Sequence, residues 1–274
     1  MLKIGWFSTA RGPTSRRLLQ VVQENIQQQT INGQIIFAFT NRNPGEYKET
    51  DQFFELTRSY NIPTVYFSLK EFESAPQNQG ISPDQIRIRY DRIIIEKLRR
   101  FSPDICVLAG YMLIVGNEMC RKYSMINLHP ALPDGPKGTW QQVIWQLIEN
   151  RVEQSGVMMH LVTPDLDRGP VITYCSYPIT GEPFDEHWLK IKNKTGTEIQ
   201  HQEGENNLLF QIIRKHGVAR ELPLIVATLK AFGNSEFSIN QGELLDKQGN
   251  RITGYDLTRE VDALARESLN SRTA

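Results

Sequence analysis

Cysteine is scarce and scattered: Cys106, Cys120 and Cys175 are odd in number, and no CxxC pair or Cys/His cluster accompanies them. Neither a disulfide framework nor a structural zinc site follows, and no metal is expected; the three thiols read as reduced packing residues. Long apolar runs are missing too, since the longest, Ile105 to Val115, falls well short of the roughly 20 residues that cross a bilayer. The N-terminus lacks the charged and apolar regions of a secretory leader, so a cytoplasmic location is expected. A surplus of charge is also absent. The 31 basic and 31 acidic residues cancel, which removes the broad attraction used by nucleic-acid and membrane-surface binders and leaves small molecules as the expected partners. The first loop holds a single glycine, Gly12, rather than the Gly-x-Gly-x-x-Gly run of dinucleotide sites, which argues against a nicotinamide oxidoreductase. No internal repeat or low-complexity tract is evident, and oligomeric state leaves no trace in the sequence.

What is present is a chain of 274 residues, 39% of them hydrophobic, enough to bury a large core. Short β-rich runs alternate with amphipathic stretches through the first half, which predicts an α/β fold with a doubly wound, mostly parallel sheet. Strands are expected at Leu2–Phe7, Gln34–Thr40, Thr64–Phe67, Asp104–Ala109, Met125–His129 and Val157–Val162, with Val171–Tyr177 as an antiparallel addition. Helices are expected at Thr14–Gln28, Lys48–Tyr60, Asp84–Arg100 and Thr139–Asn150. In the third of these, Ile86, Tyr90, Ile93, Ile94 and Leu98 recur at helical spacing while Arg87, Arg89, Arg92, Lys97 and Arg99 fill the rest. From Gly181 the text turns polar, and Gly204–Phe232 reads as a helix interrupted near Gly217 and Pro223. A hairpin of Phe237–Asn240 and Glu243–Asp246 around Gln241-Gly242, then a last helix reaching Leu269, complete a helical and hairpin C-terminal appendage. The organisation predicted is an α/β domain over residues 1–180 with an extension over 181–274 packed on it.

Chemistry concentrates at Asn127-Leu128-His129-Pro130, the carboxyl end of an expected central strand. Residues two apart on a strand point the same way, so Asn127 and His129 would project together where doubly wound sheets bind ligands. An amide N–H and an imidazolium there could hold the oxygen of a formyl carbon under attack by an amine, and His129 could pass a proton to the departing nitrogen. The plainer reading, a His before Pro that ends a strand, competes with this. Asp167 lies in Thr163-Pro164-Asp165-Leu166-Asp167-Arg168-Gly169-Pro170; a carboxylate beside His129 would favour its charged form, yet Asp-Arg-Gly-Pro is by itself good turn chemistry. Ser8 to Ser15 lead from the first strand into the first helix. Their backbone N–H groups, hydroxyls and Arg11 suit a phosphate, although such residues more often serve as N-caps. After Gly110, where a ligand could approach the backbone, Met112, Leu113, Ile114 and Val115 could wall a slot for a flat heteroaromatic ring or simply pack in the core. Lys137 sits in a mobile-looking loop just past His129, while His160, His187, His201 and His216 show no ligand spacing.

Taken together, Asn127-Leu128-His129-Pro130, Leu166-Asp167-Arg168-Gly169-Pro170 and Leu108-Ala109-Gly110-Tyr111-Met112 resemble the phosphoribosylglycinamide formyltransferases of purine synthesis. The resemblance runs from the first strand to about Ile179 and resumes loosely from Leu222-Pro223-Leu224 through the hairpin. It implies a doubly wound domain and 10-formyltetrahydrofolate as formyl donor. By that resemblance Asn127 and His129 hold the formyl oxygen and donate a proton, and Asp167 raises the histidine pKa. Gly110, Met112 to Val115 and Thr163, Pro164, Asp165 and Leu166 would line the folate pocket. Arg11, Gly12, Thr14 and Ser15, with Pro130, would meet a phosphorylated amine acceptor.

The chain departs from the family where the acceptor binds. A loop that usually reads Gly-Asn-Gly-Ser-Asn is here Thr9-Ala10-Arg11-Gly12-Pro13-Thr14-Ser15; Leu113 stands where many relatives have Arg; and Pro133 to Gly138 form a shortened loop. The polar stretch near Glu182–Gly217 displaces the segment that in relatives meets the glycinamide. Phosphoribosylglycinamide is therefore the leading acceptor, with an amino sugar nucleotide or water, the latter making a 10-formyltetrahydrofolate hydrolase, as alternatives. A non-catalytic folate or nucleotide module is the alternative of another class.

Overall fold

A computed structural model of the chain describes residues 1–165, 167–240 and 242–270; Leu166, expected in the folate wall, and Gln241, expected in the hairpin turn, lie outside the described residues. In chain order the elements are β1 (Leu2–Phe7), α1 (Pro13–Gln27), β2 (Gly33–Thr40), α2 (Lys48–Ser59), β3 (Thr64–Tyr66), α3 (Leu69–Ser74), α4 (Pro83–Leu98), β4 (Ile105–Leu108), α5 (Asn117–Lys122) and β5 (Met125–His129). They continue with α6 (Trp140–Glu149), β6 (Gln154–Leu161), β7 (Val171–Pro178), α7 (Asp185–Lys190), α8 (Gly196–Gln202), α9 (Leu208–Gly233), β8 (Phe237–Asn240), β9 (Glu243–Asp246), β10 (Tyr255–Asp256) and α10 (Thr258–Asn270). This is the expected α/β class, with a mostly parallel sheet, a small antiparallel sheet and a C-terminal helical segment.

Two compact units share the chain. The first comprises Met1–Asn127, Leu161–Pro170 and Leu229–Arg251. Its strands run in the order β5-β4-β1-β2-β3, all parallel. Both faces are covered, so β1 is apolar at Ile4 and Trp6 on one side and at Phe7 on the other, every one of them fully buried. Phe7, Phe37, Phe39, Cys106, Leu108 and Met125 pack against Tyr90, Ile94 and Leu98 of α4 and Met119 of α5. Helix α4 begins where Pro83 follows the capping Ser82, whose hydroxyl accepts from the Gln85 amide. Its buried face takes Ile86, Tyr90, Ile94 and Leu98 as the spacing predicts, and also Asp91. The hairpin β8/β9 forms as expected.

The second unit comprises Leu128–His160, Val171–Thr228 and Ile252–Ala274. Here β6 and β7 pair antiparallel, and β10 adds to β7 in parallel. A core of Val143, Trp145, Ile148, Ile199, Phe210 and Ile213 joins α6, α8 and α9, with the Trp145 and Phe210 rings 4.8 Å apart. The polar stretch after Gly181 is thus helical, as α7, α8 and the start of α9. Thr139 and Gln142 form a capping box on α6, and Thr195 and Glu198 form another on α8. The interruption expected near Gly217 and Pro223 does not occur: α9 runs unbroken through Pro223. Arg220, one turn before that proline, donates to the His216 carbonyl at 2.9 Å and pairs with Asp262 of α10 at 2.8 Å, so tertiary contacts override the local breaker. Among the described residues no helix is long and apolar enough to cross a membrane.

Gly5 lets β1 pass close to its neighbours: a Cβ there would lie 2.7 Å from both Cys106 Sγ and the Phe37 ring. Gly5→Ala should therefore cost about 1–3 kcal/mol by overpacking, read as a lowered urea midpoint at unchanged slope.

Candidate active site

Strand order places a switch point in the first unit. The chain leaves β1 toward β2 and leaves β4 toward β5, so the loops after these two neighbouring strands part and open a crevice, which is where doubly wound sheets bind ligands. Backbone and side chain lace the two loops together. The Thr9 amide donates to the Gly110 carbonyl at 3.1 Å, and the Met112 amide donates to Thr9 Oγ1 at 2.9 Å. Ala10 adopts φ 54° and turns the chain sharply, its amide donating to Ser8 Oγ and its carbonyl accepting from Thr50 Oγ1. Gly12 is the extended N-cap of α1, and among the described residues no side chain caps that helix. Its first-turn amides therefore keep the positive end of the helix dipole open to an anion. Arg11 and Thr14 are exposed and Gly12 is half-buried, whereas Ser15 is buried against Gly110. At Gly110, φ is +68° and a Cβ would lie 3.3 Å from Ser15 Oγ, so both conformation and space call for glycine.

Beyond Gly110 the chain borders a cavity of about 580 Å³ within the same unit, lined by Met112, Leu113 and Ile114 on one side and by Leu69, Arg87 and Tyr90 among others on the other. Met112 and Ile114 are 62% and 49% exposed, an unusual display for large apolar side chains. Arg87 pairs with Asp84 through Nη2 at 3.1 Å, but its buried Nε has no hydrogen-bond partner. Asp91, 4% exposed, accepts from the Gly116 amide at 2.7 Å. Burial pushes its carboxyl up to about 6; Glu118 adds to the rise, while the Gly116 N–H and Arg87 oppose it. Tyr90 donates its hydroxyl to the Phe67 carbonyl, and burial raises both it and Tyr111 above the usual phenol range.

Asn127, half-buried, stands opposite Leu108 in the β4–β5 register. The loop with Thr163, Pro164, Asp165 and Asp167 enters the first unit where the Val162 amide donates to the Met125 carbonyl at 2.8 Å. It turns on Thr163 Oγ1 donating to the Asp165 carbonyl and on Asp167 at φ 53°, and it closes with the Leu161 amide donating to the Pro170 carbonyl. Gly169 is obligatory there, since a Cβ would fall 1.7 Å from the Leu161 carbonyl oxygen. In the second unit, His129 is 3% exposed and ends β5, followed by half-buried Pro130. Its Nε2 lies 2.9 Å from the Pro136 carbonyl oxygen. A carbonyl only accepts, so Nε2 carries the proton. The His160 ring stands edge-on at 6.3 Å. Among the described residues no group of three or more His, Cys, Asp or Glu is placed to hold a metal.

Residues 12–198 match the model of the formyl transferase family. The chain belongs to that family. It is 28% identical over 180 residues to the phosphoribosylglycinamide formyltransferase of Escherichia coli, spanning 64% of this chain and 75% of that one. Among solved structures it superposes on a phosphoribosylglycinamide formyltransferase from Coxiella burnetii with a TM-score of 0.64 at 20% identity, covering 93% and 98% of the two chains. A formyltetrahydrofolate deformylase from Pseudomonas syringae pv. tomato shares the fold with a TM-score of 0.56 at 17% identity, covering 89% of this chain and 65% of that one. The enzyme is a formyltransferase. Sequence reasoning passed over Arg87, Tyr90 and Asp91 as parts of an amphipathic helix. The available signal was a lone acid, Asp91, inside the apolar stripe between Tyr90 and Ile94.

A raised carboxyl pKa means that the folded state holds its proton more tightly than the unfolded one, so stability falls as pH rises from 3.8 through about 6. That rise corresponds to at most about 3 kcal/mol. Asp91→Asn should accordingly be more stable than the parent at pH 8, with the difference closing toward pH 4, in urea melts across that range.

Proposed function

We propose that this formyltransferase moves the formyl group of 10-formyltetrahydrofolate onto the amine of phosphoribosylglycinamide. The observation that carries the reading is β5, a strand within the family's matched segment whose last residues include Asn127 and His129, two alternate positions with donors for a formyl oxygen. As the amine adds, that oxygen gains negative charge, and the Asn127 amide and a His129 N–H stabilise it. In the free enzyme the His129 Nε2 proton rests on the Pro136 carbonyl; the formyl oxygen takes over as its acceptor. His129, as the imidazolium, then supplies a proton to the departing folate nitrogen, and the proton shed by the attacking amine, passing through water and the Asp167 carboxylate, restores the charged imidazole.

The donor's flat ring would lie against Gly110, Met112, Leu113, Ile114 and Val115 and against Thr163, Pro164 and Asp165. The cavity beside Met112 to Ile114 has the size for the rest of a folate, and the buried Arg87 Nε gives its carboxylate tail a partner. The acceptor's phosphate would meet Arg11, Gly12, Thr14 and Ser15 at the open N-terminus of α1, with Pro130 shaping the amine's approach. Naming of relatives at 28% identity supports this acceptor, while the rebuilt first loop and the α7–α8 segment are where a different amine would be accommodated. The three free cysteines suit a reducing, cytoplasmic setting.

Release of tetrahydrofolate by purified protein, followed optically with both substrates, should be stoichiometric with acceptor. His129→Ala should lose at least about 100-fold in kcat at a donor KM within about threefold; full activity in that variant would refute the mechanism. Turnover of the donor without any amine would instead make water the acceptor. Folate binding without turnover would leave a binding module.

A further inference from the structure

We infer that Asp91 is a positioning residue for the formyl donor, gripping the Gly116 amide so that Met112 and Ile114 stay turned outward as the wall for the donor's ring. The inference rests on the reading above that this wall binds the donor. Along residues 111–115 inward and outward side chains alternate. Tyr111, Leu113 and Val115 turn inward onto the core that holds Phe7 and Phe39, while Met112 and Ile114 turn out at 62% and 49% exposure. A segment of this kind keeps its facing only if both ends are fixed, because a slip of one residue would exchange the inward and outward sets. Thr9 fixes the near end through the Gly110 carbonyl at 3.1 Å and the Met112 amide at 2.9 Å. Asp91 fixes the far end through the Gly116 amide at 2.7 Å. Gly116 is fitted to that carboxylate, since a Cβ at this position would lie 2.7 Å from Asp91 Oδ2.

Packing gives no reason for an acid here. Asp91 occupies the buried stripe of α4 with Ile86, Tyr90, Ile94 and Leu98, where an aliphatic residue would continue the pattern. A carboxylate kept in such a place has to be explained by what it accepts. The groups that act on it are Arg87 of its own helix, Glu118 of α5, and the Gly116 N–H; it acts in turn on Tyr90, Tyr111 and Cys120. Glu118 is itself held by Arg92, whose Nε donates to both carboxylate oxygens at 3.0 and 2.9 Å. The ionised carboxylate is the stronger acceptor, so the grip tightens as pH rises past the titration of Asp91.

The experiment is steady-state kinetics of the full chain between pH 5 and 8.5, with 10-formyltetrahydrofolate and acceptor varied separately, for the parent, Asp91→Leu, Asp91→Asn and Gly116→Ala. Asp91→Leu should raise the donor KM about tenfold, the factor that corresponds to 1.4 kcal/mol, while kcat and acceptor KM stay within about threefold. Asp91→Asn keeps an oxygen for the Gly116 amide and should restore the donor KM to within about threefold of the parent. The parent's donor KM should rise below about pH 6, and the Asn variant should lack that rise. Gly116→Ala, which pushes the amide away and leaves the acid untouched, should reproduce the Leu variant and serves if Asp91→Leu does not fold. A parental donor KM in both Asp91→Leu and Gly116→Ala, or equal losses in kcat and both KM values, would overturn the role of Asp91 alone. A parent that neither turns over nor binds 10-formyltetrahydrofolate would overturn the function as well.

Discussion

The parallel pairing of β1 with β4, Ile4 through Phe7 against Ile105 through Leu108, is the constraint on which the first unit depends. Those two strands are neighbours in space but far apart in sequence, and the chain leaves them in opposite directions. Their loops therefore cannot cover one another, and the ends of both strands stay accessible. The proposed phosphate site, from Arg11 to Ser15 at the head of α1, and the proposed ring wall after Gly110 follow directly from those two strand ends. Thr9, 4% exposed, joins them through one backbone and one side-chain hydrogen bond, so the position of the wall is referred directly to the end of β1.

Much of this was legible because period and composition agreed. Strands β1 and β5 match the predicted bounds, and β2, β3, β4 and β7 with α1, α2, α4 and α6 fall within a residue or two, since each is an apolar run or stripe bounded by turn residues. The misses have physical causes. Helices α3, α5, α7 and α8 are only six or seven residues long, too short for a hydrophobic period to show. Helix α9 seemed broken because Gly217 and Pro223 are local breakers, and a sequence cannot display the Arg220–Asp262 pair or the stacking of Arg220 on Tyr177 that hold the helix.

Within the proposed site, the pairing of Asn127 and His129 came from a two-residue spacing on a strand, a local property, and that strand is present. Asp167 looked like a turn residue and does sit in a turn, at φ 53°, so the chemical role proposed for it rests on family resemblance. Arg87 left no pattern of its own, and Asp91 showed only as a lone acid inside the apolar stripe of α4. The roles proposed for them rest on a cavity and on a hydrogen bond to Gly116, 25 residues from Asp91 in sequence, and only the fold brings these together. On the proposed role, Asp91 illustrates a familiar compromise, in which a group that weakens the fold when ionised is kept for what it positions.

The hydrogen bond from His129 to Pro136 has one more consequence. A carbonyl cannot donate, so the short loop after β5 keeps a proton on Nε2 before any substrate arrives, and an incoming oxygen has only to displace one acceptor to find the donor already loaded.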